Sequence, residues 1–109
     1  MNIEKTTREY FKNFEEMNLS ELSNMFDDAI ILKDWDIEVT GKKLVLEANK
    51  NIFNSVDNIG VVINNLYIVK QTAVAEILIH IDDNPPLPVV DIINFNDNSI
   101  VSITAYRGN

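Results

Sequence analysis

The sequence contains no cysteine and a single histidine, His80. Disulfides, thiolate nucleophiles and cysteine-based zinc sites are excluded, and a histidine-rich metal centre with them. Cations are scarce, with nine Lys and Arg against 17 Asp and Glu and a formal net charge of −8. Phosphate backbones are bound through basic stripes, so this balance argues against nucleic acid, and equally against an anionic membrane surface. No apolar run approaches the ~20 residues of a membrane-spanning helix, and the opening MNIEKTTREY has no apolar signal core. A cytoplasmic location is therefore expected.

What is present describes an ordinary globular chain. Hydrophobic residues make up 46% and charged residues 24% of 109, with a mean hydropathy of −0.04. That length suits one domain with one core, spanning 1–109, and no internal repeat, linker or low-complexity stretch divides it.

Ile3, Thr7, Tyr10, Phe11, Phe14 and Met17 recur at helical spacing with charged residues between them, which predicts an amphipathic helix. Asn18-Leu19-Ser20-Glu21 offers a side-chain cap and an acid, opening a short second helix with Leu19, Leu22, Met25 and Phe26 inward. Ala29 to Asp34 reads as a strand that could continue to Val39. Thr40-Gly41 opens a third helix whose expected apolar stripe is Leu44, Val45, Ala48, Ile52 and Phe53.

The remainder reads as strand: 59–69, then 73–82, where Ala75, Ile77, Ile79 and Ile81 alternate with Glu76, Leu78, His80 and Asp82. Pro85 and Pro86 cannot extend a ladder. The last pair, 87–96 and 100–107, is joined by Asn96-Asp97-Asn98-Ser99, a hairpin signal. Helices early and sequential strands late give an α+β class with a mostly antiparallel sheet. The second face of that sheet is apolar in places (Leu78, Val90, Ile92), and a homodimer through it is expected.

Several strings resemble the nuclear transport factor 2-like (NTF2-like) superfamily, which includes SnoaL-like and ketosteroid isomerase-like proteins. Met25-Phe26-Asp27-Asp28-Ala29 is similar to its entry into the first strand, and Val39-Thr40-Gly41-Lys42-Lys43 to the start of its third helix. Val90 to Asn96 and Ile103 to Gly108 are similar to its final hairpin. The resemblance implies a cone in which three N-terminal helices pack on a strongly curved sheet. In ketosteroid isomerases a first-helix tyrosine and two strand aspartates face one apolar cavity, and Tyr10, Asp34 and Asp91 fall at matching places.

By that resemblance Asp34 is the general base, while Tyr10 and Asp91 donate hydrogen bonds to an enolate formed from a small hydrophobic carbonyl compound. Phe14, Trp35, Phe53, Ile93 and Tyr106 are the expected ligand contacts. Trp35 departs from the isomerase pattern and guards, or fills, the cavity mouth in the segment Leu32-Lys33-Asp34-Trp35-Asp36-Ile37-Glu38.

Each residue also has a plainer reading. Asp34 could be a solvated strand end, Asp91 could bond a backbone N–H or pair with Arg107, and Tyr10 could simply pack. His80, opposite the isoleucines, is expected on the outer or dimer face. The adjacent acids Asp82 and Asp83 lack the ligand spacing of a calcium loop. No metal or cofactor is expected. The function expected is small-molecule binding with isomerase- or cyclase-like chemistry; the alternative is a non-catalytic binding or assembly domain of the same fold.

Overall fold

The structure is a computed structural model covering residues 1–109. Three helices, α1 (Ile3–Glu15), α2 (Leu19–Met25) and α3 (Lys42–Ser55), pack on one face of a six-stranded sheet. The strands are β1 (Phe26–Lys33), β2 (Glu38–Thr40), β3 (Ile59–Val69), β4 (Thr72–Ile81), β5 (Leu87–Asn96) and β6 (Ser99–Arg107). They lie in the order β2-β1-β6-β5-β4-β3, so the sheet is open, with β2 and β3 as its edges. All neighbours are antiparallel except β1 and β6, which run parallel. No helix is long and apolar enough to cross a membrane.

Local chemistry sets the helix ends. Asn2 accepts from Lys5 N–H and Asn18 from Glu21 N–H, each satisfying an orphan donor of a first turn. The end of α1 is a double closure in which Met17 N–H donates to Phe14 and Asn18 N–H to Asn13. It requires a left-handed residue, and Met17 takes that conformation at φ 54°. The chain then turns from α2 directly into β1 at Phe26, so the first strand starts three residues before the expected Ala29.

The third helix differs more. Gly41 precedes it at φ 98°, and Gly41 N–H donates to Ile30 C=O while Lys42 pairs with Asp28. Fixed this way, α3 buries Val45, Asn49 and Phe53 and leaves Leu44 exposed. Of the expected stripe, Val45 and Phe53 are buried and Ala48 and Ile52 partly buried; Leu44 is the one member left outside, and Asn49 takes an inward place that was not expected.

The inner face of the sheet carries the core. Ile30 of β1, Ala73, Ala75 and Ile77 of β4, Val89, Ile93 and Phe95 of β5, and Ile100 and Ile103 of β6 are buried against Phe11, Leu22 and Val45 of the helices. The outer face has no covering layer. Val62, Leu78 and Pro88 form one row across it, and Glu76, Val90 and Tyr106 another. A chain of side-chain hydrogen bonds, Thr72 to Asn94 at 2.6 Å and Asn94 to Ser102 at 2.9 Å, crosses the same face. His80 lies opposite Gly60 in the register, on the face away from Ile77 and Ile79, as its alternation implies.

Candidate functional site

Register brings the two aspartates together. Leu32 pairs with Ile103 and Lys33 with Thr104, so Asp34, the next residue, comes alongside Ala105, and Ala105 pairs with Asp91. Two strand spacings of about 4.8 Å separate the two backbones. On its other side Asp91 pairs with Ala75. The row therefore flanks the Asp91 carboxyl with methyl groups, which leave it room and offer it no polar partner.

Asp91 is 7% exposed, and its carboxyl makes no hydrogen bond or ion pair within the chain. Arg107 is exposed and makes no ion pair with it. Burial pushes the Asp91 carboxyl up to about 7, with the negative charge of Asp34 adding to the shift. Tyr10 is also buried, between Phe11, Phe14 and Phe26 at ring-centroid distances of 5.2, 6.4 and 6.3 Å. Burial raises its phenol far above the usual range, and Asp91 raises it further, so Tyr10 stays a neutral donor.

These two groups face one small cavity of about 40 Å³, lined by Tyr10, Phe11, Phe14, Val61, Ile77, Ile79 and Asp91. By volume it holds about three water molecules. A larger, open depression of about 370 Å³ lies at the tips of the β3–β4 and β5–β6 hairpins, around Lys70, Asp97 and Asn98. Asp97 is about 20 Å along the strand from Asp91, so that depression does not contain the acids.

Asp34 has a second task. Its Oδ1 accepts from Asp36 N–H at 2.7 Å and Ile37 N–H at 2.8 Å, and its own N–H donates to Ile37 C=O. This is an aspartate-closed turn joining β1 to β2. The strand thus ends in acid, tryptophan, acid because the first acid builds the turn, Trp35 rides on its outside, and Asp36 supplies a turn N–H. Oδ2 of Asp34 carries no hydrogen bond, and the residue is half-buried.

The remaining sequence-derived contacts divide. Phe14 lines the cavity, and Phe53 meets it edge to face at 5.3 Å. Ile93 is fully buried on the Asp91 face, inside the core rather than on the cavity wall. Trp35 is 42% exposed and does not fill the cavity. Tyr106 pairs with Val90 and so lies on the outer face, opposite Asp91, with 58% of its surface exposed. Its alternation along β6 removes it from the inner site.

One polar residue of the interior was not foreseen. Asn49 is 4% exposed, and its Nδ2 has no hydrogen-bond partner. An unsatisfied buried amide costs about 1–3 kcal/mol. Its spacing, four residues after Val45 and four before Phe53, was the signal that could have found it.

No protein-family model matches the sequence, and no curated protein matches it. Solved structures do. A SnoaL-like protein from Shewanella putrefaciens superposes with a TM-score of 0.88 at 11% identity, covering 98% of this chain and 80% of that one. The fold is NTF2-like. An LEH-like epoxide hydrolase of M. tuberculosis gives a TM-score of 0.83 at 10% identity, over 95% of this chain and 80% of the other. A protein of ketosteroid isomerase-like fold from Catenulispora acidiphila, solved with trimethylamine, gives 0.77 at 17% identity, over 89% and 80%. The NTF2-like fold hosts different chemistries among these structures, so activity has to be argued from side chains.

Proposed function

We propose that this chain binds a compact, largely apolar carbonyl compound between Asp34, Tyr10 and Asp91, in a sheet curved into a cone, and moves a proton at the carbon alpha to the carbonyl without a cofactor. The observation that carries this reading is Asp91, a carboxyl buried with neither hydrogen bond nor counter-ion beside a cavity. A structural acid would be paired, because an unpaired buried carboxylate is costly. Below about pH 7 the carboxyl holds its proton and is a donor, as Tyr10 is at any physiological pH.

In the proposed reaction the free Oδ2 of Asp34 takes the alpha proton. The C–H electron pair forms the C=C bond, and the carbonyl π pair moves onto oxygen. Tyr10 O–H and Asp91 O–H hydrogen-bond the resulting enolate. Asp34 returns the proton to carbon, at the original or a conjugated position, as the carbonyl re-forms. Phe14 and Phe53 give the apolar wall and Trp35 the rim. The cavity of about 40 Å³ supports a ligand of few atoms, or one that parts α1 from β3 on entry.

The test is deuterium incorporation, followed by proton NMR, into a panel of cyclic and short-chain ketones in heavy water. Wild type should exchange alpha protons of at least one ketone well above the buffer rate, and Asp34→Asn should lose this by roughly 10²–10⁴-fold. Exchange no faster than buffer across the panel would sink the enzymatic reading.

A second reading rests on the outer face, where Val62, Tyr67 and Tyr106 are 47%, 52% and 58% exposed. Apolar side chains gathered on an uncovered sheet face support a homodimer, and an assembly domain of this fold would need nothing more.

A further inference from the structure

We infer that the inner cavity opens to solvent along the seam between α1 and the edge strand β3, and that Glu15 is the latch on that seam. This deepens the proposed function, whose ligand would enter there, and rests on that reading for what enters.

Burial around the cavity is graded. Tyr10, Phe11, Ile77 and Asp91 are buried and form its floor, while Phe14, Val61 and Ile79 are only half-buried. Val61 and Ile79 are partners in the β3–β4 register, and Phe14 lies on α1. The side of the cavity that reaches the surface is therefore the seam.

The walls differ in how they are held. β4 and β5 carry ladders on both flanks, and neither can move without breaking two of them. β3 has a neighbour on one side only. A single hydrogen bond joins α1 to the sheet, in which Val61 N–H donates to Glu15 Oε1 at 2.5 Å. Both partners belong to the seam: Val61 lines the cavity, and Glu15 follows Phe14, which also lines it. A hydrogen bond to a charged acceptor is roughly twice as strong as a neutral one. This one closes the half-buried side of a space of about 40 Å³, too small for a cyclic ketone. A ligand that reaches Asp91 has to part α1 from β3, and Glu15 has to release Val61 for that to happen.

The chain has no cysteine, so a single one introduced at the floor reports access. Ile77→Cys can be labelled with methyl methanethiosulfonate, a small neutral reagent. Ile100→Cys, at a fully buried position away from the cavity, records exposure by global unfolding. Ile77→Cys should be labelled faster than Ile100→Cys and depend less on low urea, because a local opening suffices. Adding Glu15→Ala should speed Ile77→Cys labelling about tenfold, the effect of losing one hydrogen bond to a charged group. Glu15→Gln, which keeps an acceptor, should speed it less. Equal rates and urea slopes in the two cysteine variants would overturn the seam. No acceleration by Glu15→Ala would overturn the latch, and acceleration by Trp35→Ala instead would put the entrance at the tryptophan rim. The labelling needs no ligand, so absence of ketone exchange alongside it would bring down the proposed reaction and leave the mouth of the cavity standing.

Discussion

Asp91 lacks a counter-ion, so its proton governs how stability varies with pH. In the folded chain its carboxyl titrates near 7, against 3.8 for the unperturbed group. Between those values the native state holds a proton that the unfolded state has released. Stability therefore falls as pH rises from about 4 to 7, and the penalty is complete above that window. Its full size is on the order of 4 kcal/mol. Asp91→Asn removes the charge at nearly constant shape. It should raise the urea midpoint clearly at pH 8 and hardly at pH 4; an equal effect at both would show that Asp91 is not an unpaired buried acid.

Asp34 offers the contrasting case. Asp34→Asn keeps an oxygen for the two turn N–H groups, whereas Asp34→Ala leaves both without their acceptor. The alanine variant should lose about 1–2 kcal/mol in urea denaturation and the asparagine variant little. Sequence could place these residues on one end of the fold but not assign the turn to Asp34, because an aspartate closing a turn and one facing a ligand look alike in a single string.

At the level of elements, legibility followed periodicity. The ranges 59–69 and 87–96 were readable because apolar alternation, or a long apolar run between turn signals, is a strand's own signature. The exact edge of the inward face of α3, with Leu44 out and Asn49 in, was not. The expected stripe drew on two adjacent rows of one helix, 44, 48 and 52 beside 45, 49 and 53, and hydrophobicity alone ranks Leu44 above Asn49 for burial. The choice is made outside the helix, by Gly41 against Ile30 and Lys42 against Asp28. The Asp97–Asn98 hairpin was legible, and its backbone has φ of 47° and 69° at these residues. Left-handed conformation at both suits glycine at the second, so Asn98→Gly should stabilise the chain by about 0.5–1 kcal/mol. A lower urea midpoint would mean that the Asn98 side chain contributes more than its backbone strain costs.

Across the whole molecule, the parallel pairing of β1 with β6 escaped the sequence reading. It joins the first strand to the last, and pairing between distant segments leaves no local pattern. That pairing also sets Asp34 beside Ala105 and so brings it toward Asp91. The outer face is the other feature of this scale. If it joins two copies, placing charge at its centre should separate them: Val62→Lys with Tyr106→Lys should weaken the dimer at least tenfold in sedimentation equilibrium while leaving the inner site unchanged. Wild type sedimenting as a monomer at tens of micromolar would contradict the dimer.

The protonation of Asp91 decides the character of the site most directly, and carboxyl ¹³C NMR across pH 4 to 9 measures it on the intact chain. The expected result is an Asp91 resonance titrating near pH 7 and moving downward in Asp34→Asn, since the second carboxylate contributes to the shift. A resonance already titrated by pH 5, or one indifferent to Asp34, would mean that the two acids do not share a buried site.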